Sequence, residues 1–334
     1  MADLSDLSNM GVDVVVGSRS EPGPRSPILL IDSSAGTRMS ERVELLREAR
    51  RRGWKVIELG AGDDYPEIDT VADECNADVV GFAGADRSQS KATVVASGRE
   101  LPYACVPAES DDLFARDLGI DPDDGLGALV AIEHYCEYYV DLAEVNGVTF
   151  VNYAALALDC TPVRPSAPAE RDAWAFCSLA SYSVAPQEPS VPLHWLADSG
   201  RETCAALFVS NNRRRFSSGT VGGRTRLDGG VLGIGVLRSS TGSSTALDGG
   251  GSWLELGFAD FEVDSDVPVT VDVDGQAVSL EPPIRFRILP RALRVRIPLL
   301  GEPDTDRVRR RRRERARGRQ AAGVAPSRVP PDQV

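Results

Sequence analysis

Hydrophobic and polar positions alternate along this chain with two different periods. Ile28–Ile31 is a short apolar run, after which Met39, Val43 and Leu46 recur at helical spacing until Gly53. Trp54–Leu59 predicts a second strand, residues 65–76 a short helix, Val79–Ala83 a third strand and Tyr103–Pro107 a fourth. Strands alternating with helices of this length predict βαβ units and a parallel sheet. Such sheets bind ligands beyond the carboxyl ends of their strands, so the loops at 32–37, 84–90 and 108–113 are expected to cluster on one edge.

From about residue 138 the period falls to two. Tyr138–Glu144 and Val148–Leu156 flank Asn146-Gly147, a strong hairpin signal. Ala205–Ser210, Val231–Leu237, Trp253–Phe258, Val267–Val273, Ile284–Ile288 and Leu293–Ile297 follow, short and separated by Gly-, Asp- and Pro-containing turns. That is the pattern of a β-sandwich or barrel. Residues 161–190 and 239–252 read as long loops. The expected fold class is α/β plus β. A flexible arm (1–26) leads into a Rossmann-like parallel α/β domain (27–137), then an antiparallel β-sandwich domain (138–300) and a disordered Arg-rich tail (301–334).

Composition narrows the picture. The 334 residues are 42% hydrophobic, enough for one large or two medium cores. No run of apolar residues is long enough for a transmembrane helix, and residues 1–26 lack the features of a secretory leader. Six cysteines without a Cys-x-x-Cys pair are expected to be buried or inert thiols in a cytoplasmic protein. The net charge of −13 includes Arg307–Arg319, where nine Arg stand with one Glu, so the body is more acidic still. The body is expected to repel nucleic acid; the tail is expected to attract a polyanion, with an anionic membrane surface, a nucleic-acid contact and a merely solvated tail left as alternatives. His134, in a helix-like run with Tyr135 and Tyr138, and His194 are too far apart for zinc spacing. Arg213-Arg214-Arg215 reads as an exposed loop or as a contact for an anionic head group.

Several segments, taken in order, resemble the diacylglycerol kinase and bacterial lipid kinase family, which shares its core with NAD kinases. Ile31-Asp32-Ser33-Ser34-Ala35-Gly36 stands where the family has its first Asn-Pro-x-Ser/Ala-Gly loop. Gly84-Ala85-Asp86-Arg87-Ser88 stands in place of the Gly-Gly-Asp-Gly-Ser/Thr phosphate loop. Pro107-Ala108-Glu109-Ser110-Asp111-Asp112-Leu113-Phe114-Ala115, running into Arg116-Asp117-Leu118-Gly119, is similar to Pro-x-Gly-Thr-x-Asn-x-Phe-Ala followed by Arg-Asp-Leu-Gly. Phe150-Val151-Asn152, Arg224–Leu232, Asp274-Gly275-Gln276 and Pro290–Pro298 resemble later family segments. The resemblance implies ATP- and magnesium-dependent phosphorylation of a lipid or small-molecule hydroxyl. Asp32, Gly36, Gly84, Ala85, Arg87, Ser88, Glu109, Ser110 and Asp112 would line the nucleotide site. Asp86 and Asp228 would hold magnesium and act in catalysis, and Gln276 would occupy the general-base position. A homodimer and peripheral contact with the membrane are left open.

The residues themselves pull in two directions. Phosphate loops use glycine so that backbone N–H groups can approach phosphate oxygens. Ala85 and Arg87 replace glycines, although Arg87 could grip a phosphate itself. Glu109, Asp111 and Asp112 put carboxylates where a triphosphate would lie, and two like charges about 5 Å apart repel by ~3 kcal/mol at an effective dielectric near 20. Alternatively, Asp86 or Ser88 caps one helix and Ser110 or Asp111 another. Gln276 cannot take a proton as a glutamate would, and Asp274 is two residues away. Two functions therefore stand side by side: a lipid kinase with weakened transfer, and a non-catalytic descendant that binds a nucleotide, lipid or protein.

Overall fold

A computed structural model of the chain describes residues 15–16, 26–32, 39–60, 65–84, 86–108, 112–132, 135–163, 181–186, 193–197, 200–217, 220–224, 226–238 and 253–298. The first half runs β1 (Val15–Val16), β2 (Pro27–Asp32), α1 (Met39–Arg51), β3 (Lys55–Leu59), α2 (Tyr65–Glu74), β4 (Val79–Gly84), α3 (Asp86–Gly98), β5 (Tyr103–Pro107), α4 (Leu113–Asp117) and α5 (Gly125–Ala131). Strands β3, β2, β4 and β5 lie side by side in that order, all parallel. Every residue of β2 and β4 is buried, because helices cover both faces of the sheet. Ile28 and Leu30 join a core with Ile68 of α2 and Ala92 and Val95 of α3. Leu29 and Ile31 point the other way, into a core with Leu45 and Ala49 of α1 and Leu129 of α5. Helix α1 stops where Gly53 takes φ +82° and the Trp54 N–H returns to the Ala49 carbonyl at 3.0 Å.

The second half is built from β6 (Tyr135–Val145), β7 (Val148–Phe150), β8 (Tyr153–Leu156), β9 (Leu158–Val163), β10 (Ser181–Pro186), β11 (Leu193–Ala197), β12 (Gly200–Asn211), β13 (Arg214–Ser217), β14 (Thr220–Arg224), β15 (Leu232–Arg238), β16 (Trp253–Phe258), β17 (Asp260–Asp264), β18 (Val269–Val273), β19 (Gln276–Leu280) and β20 (Ile284–Pro298). The pairings among these strands are antiparallel, and β13, β14, β10 and β9 form a small sheet of their own. The turn between β6 and β7 takes φ +45° at Asn146 and +84° at Gly147, as a tight hairpin of the expected kind requires. The core here is aliphatic and aromatic, with Val145, Phe150, Leu207, Val209, Ile234, Val236, Val271 and Phe286 packed together.

One strand belongs to both halves. The first part of β20 lies between β17 and β6, with Ile284 opposite Val263 and Phe286 opposite Val145. Its last part becomes the fifth strand of the parallel sheet, Val295 beside Tyr103 and Arg296 beside Ala104. The pattern read as two runs, Ile284–Ile288 and Leu293–Ile297, is thus one strand of 15 residues. Between them Pro290 lacks an N–H, Arg291 takes φ +53°, and the register against β6 slips between Leu289 and Leu293. The bulge is held from β6 by the buried Asp141. Its Oδ1 accepts the Arg291 N–H at 2.8 Å, while Oδ2 accepts from Asn212 Nδ2 at 2.8 Å and from the Gly230 N–H at 2.7 Å.

Other readings of the pattern need correction. Residues 161–190 are not all loop: Leu158–Val163 and Ser181–Pro186 pair as strands. Their sequences, LDCTPV and SYSVAP, carry too few β-branched residues to announce themselves. Tyr135 and Tyr138 lie in β6 rather than in a helix, and His134 falls outside the described residues. The run Val148–Leu156 is broken at Val151-Asn152, whose N–H groups bond to a side chain instead of a neighbouring strand. Val15–Val16, within the segment read as an arm, pairs with Cys136 and Glu137. The segments 239–252 and 301–334 lie outside the described residues. Among the described residues no helix is long and apolar enough to cross a membrane.

Cys105, Cys136 and Cys204 are buried thiols, and Cys75 is half-buried. Burial pushes the Cys204 thiol up to about 12 and raises that of Cys136. In the native protein at pH 8, iodoacetamide is expected to modify Cys75 ahead of these three; peptide mass spectrometry showing Cys204 labelled as fast as in urea would contradict the burial. Replacing Asp141 by Ala strands three donors at once, one of them in the β20 bulge. The expected loss is about 3–5 kcal/mol in urea unfolding, and a loss under ~1 kcal/mol would mean that the bulge holds without its acceptor.

Candidate functional site

The carboxyl ends of β2, β4 and β5 meet at one edge, as the βαβ pattern requires. Asp32 closes β2 and is buried. The Ser88 hydroxyl, one turn into α3, donates to Asp32 Oδ2 at 2.6 Å. Gly84 ends β4, and a Cβ there would lie 2.6 Å from the Phe82 ring and 2.7 Å from Asp32 Cβ. Its missing side chain therefore makes room for Phe82 and Asp32. Gln89 is buried; its Nε2 donates to Asp112 Oδ1 at 3.1 Å, and its Oε1 accepts from the Tyr103 hydroxyl at 3.1 Å. The same Asp112 oxygen accepts the Ala115 N–H at 2.8 Å, so Asp112 caps α4. The cap falls one or two residues later than Ser110 or Asp111. Gly36, Ala85, Glu109 and Ser110 lie outside the described residues, as do the side chains of Asp86 and Arg87 in the first turn of α3.

The other two predicted catalytic positions stand on separate turns. Asp228, between β14 and β15, accepts from Arg226 Nε at 3.1 Å and Nη2 at 3.3 Å. Its loop is tied down by the Gly230–Asp141 bond and by the Gly229 N–H, which donates to Asn212 Oδ1 at 2.9 Å. Gln276 is exposed at the start of β19, just past the Asp274-Gly275 turn. Asp274 is buried, and its carboxylate accepts the N–H groups of Val151, Asn152 and Tyr153 at 2.7, 2.9 and 2.9 Å. Three charge-assisted bonds commit it to the backbone, so it does not stand in for a base at 276.

The structure also shows a buried network to which sequence reasoning assigned no role. Asp117, at the end of α4, accepts from Arg214 Nη2 at 2.9 Å and Arg224 Nε at 2.5 Å. Arg224 Nη1 donates to the Val151 carbonyl at 2.7 Å, and its Nη2 to Asn152 Oδ1 at 3.3 Å. Its guanidinium lies over the Phe114 ring at 5.7 Å. All three charged side chains are at most 1% exposed. Bonds thus run from Asp112 through α4 to Asp117, Arg224, Asn152 and Asp274, joining the sheet edge to the β18–β19 hairpin. Arg213-Arg214-Arg215 reads exposed, buried, exposed, as alternation along a strand dictates. The one sequence signal for the network was charge embedded in apolar surroundings, Arg116-Asp117 between Phe114 and Leu118.

Asp117→Ala leaves two buried guanidinium groups without their carboxylate. Urea unfolding is expected to show a loss of about 3–5 kcal/mol, against about 1 kcal/mol for Ser88→Ala at the sheet edge. Equal losses would mean that the ion pairs contribute no more than one neutral bond.

No family model matches the sequence. Solved structures match its shape. One, described as a diacylglycerol kinase from Bacillus anthracis, aligns at a TM-score of 0.56 and 15% identity over 82% of this chain and 97% of that one. A candidate diacylglycerol kinase from the same organism aligns at 0.57 and 17% identity, covering 84% of this chain and 100% of that one. A third from that organism gives 0.56 and 16% over 82% and 98%. At such identities the likeness is one of fold: this chain has a diacylglycerol-kinase-like fold, a parallel α/β sheet joined to antiparallel β-structure, over most of its length.

Proposed function

We propose that this is a lipid-kinase-like protein that has given up efficient phosphoryl transfer and acts by binding. The observation that carries this reading is the bonding at the sheet edge, where Asp32, Ser88 and Asp112, expected to receive a nucleotide, bond to one another or to the neighbouring Gln89 instead. Ser88 donates to Asp32, Gln89 to Asp112, and Asp112 caps α4. The face of Gly84 is taken up by Phe82 and Asp32. Among the described residues this set does not fit a triphosphate cradle, and no step through ATP or magnesium follows from it. The amide at Gln276, in the position of the family's base, supports the same reading.

The retained acids Asp86 and Asp228 favour a second reading, in which transfer to a lipid or small-molecule hydroxyl persists at a low rate. In either case Arg307–Arg319 would bring the protein to an anionic membrane surface, each basic residue contributing about 1 kcal/mol near the lipid.

A ligand that binds only the folded state must raise its melting temperature. The expected result is no shift with millimolar ATP·Mg²⁺ and no labelled lipid from diacylglycerol vesicles and γ-labelled ATP. A clear shift together with labelled lipid would establish the kinase reading instead. The triple variant Arg87→Gly, Glu109→Gly, Asp112→Asn removes the bulk and charge while an asparagine keeps the cap. It is expected to gain a nucleotide-dependent shift, and its failure to do so would remove charge repulsion as the cause.

A further inference from the structure

On β6 and β20, alternate residues face opposite ways. Tyr138, Val140, Leu293 and Val295 enter the core shared with α3. On the other face Tyr139 stands opposite Arg294, and Glu137 opposite Arg296. The Arg296 guanidinium lies 3.7 Å from the centroid of the Tyr135 ring. Its Nε and Nη2 both donate to one oxygen, Glu137 Oε1, at 2.9 and 2.6 Å. Its Nη1 is buried and meets no acceptor. Arg294 Nη2 donates to the Glu100 carbonyl at 2.9 Å. Arg294 Nε is also buried without an acceptor, because Glu137 Oε2 is 3.7 Å away, beyond hydrogen-bond reach. A third guanidinium, Arg291, lies over Tyr139 at 5.3 Å.

Two arginines therefore share one carboxylate, with a third over the neighbouring Tyr139, on a chain whose net charge is −13. Buried donors of this kind carry a desolvation cost unless an acceptor arrives. Two neighbouring guanidinium forks match an acceptor with several oxygens spread over one negative centre. We propose that the Arg294–Arg296 end of β20 binds a phosphate-class oxyanion, free or carried as a phosphomonoester headgroup. Arg294 is the movable member, its side chain 33% exposed, whereas that of Arg296 is 7% exposed and held between Tyr135 and Glu137. Neither the sheet edge nor the β18–β19 hairpin contributes a residue to this site, so it stands whether or not the protein transfers phosphate.

The test is a thermal-shift titration of the full chain with inorganic phosphate against chloride at constant ionic strength. Phosphate is expected to stabilise the wild type more than chloride does. Arg294→Gln should weaken the apparent affinity about tenfold, the effect of losing one charge-assisted contact. Arg294→Lys, which keeps the charge without the fork, should fall between the two. Glu137→Gln should tighten binding by removing the competing carboxylate. Co-sedimentation with vesicles containing phosphatidic acid, but not with phosphatidylcholine alone, and lost in Arg294→Gln, would identify the ligand as a lipid headgroup; a phosphate response without sedimentation would identify a soluble phosphoester. A phosphate response no larger than that to chloride, or one that Arg294→Gln retains in full, overturns the site.

Discussion

The carboxylate of Asp141 holds the point at which the antiparallel and parallel parts of one sheet share a strand. A strand that passes from an antiparallel neighbourhood into a parallel one must change register, and here it does so through a bulge around Pro290 and Arg291. The bulge turns an N–H away from the ladder, and Asp141 accepts it. The same carboxylate gathers the loop after β12 through Asn212 and the loop before β15 through Gly230. A buried charge is tolerated because donors converge on it from three chain-distant segments.

A second buried centre repeats this logic across the joint between the two halves. Asp117 comes from the short helix after β5, and Arg214 and Arg224 come from the β-rich half. Arg224 then reaches the backbone of Val151 and the side chain of Asn152, where Asp274 also binds. Several of these residues lie in segments whose order resembles a kinase family, yet each described side chain among them is engaged with another part of the protein. Those bonds tie the short helix after β5 to the β-rich half.

The parallel half was legible in the sequence because its strands are buried on both faces. Ile28–Ile31, Val79–Ala83 and Tyr103–Pro107 are continuous apolar runs bounded by turns, and the structure extends the first two by a residue at one or both ends. The β-rich half was legible where β-branched residues alternate and silent at LDCTPV and SYSVAP. The split of β20 into two runs was a reasonable inference from Pro290, because nothing local says that Asp141, far away in the chain, will accept the displaced N–H. The sheet edge is where Asp32, Ser88, Gln89 and Asp112 bond, although residues 86–90, read as part of a loop, are the start of α3, and most of the segments 32–37 and 108–113 lies outside the described residues. That Ser88 would turn to Asp32 and Gln89 to Asp112 was not readable, since the partner of a polar side chain is chosen by tertiary packing rather than by sequence spacing.

The sharing of β20 has a consequence for how the chain is made. Translation delivers β2 to β5 early, but β5 has an unpaired flank until residues 284–298 emerge from the ribosome. During that interval a row of backbone donors and acceptors on an otherwise apolar strand stands open to other chains. Closing it requires contacts between residues widely separated in sequence, the slowest kind to form. Nascent chains of this protein should therefore depend on chaperones more than their size alone would suggest, and a truncation that removes β20 would unseat the parallel α/β half.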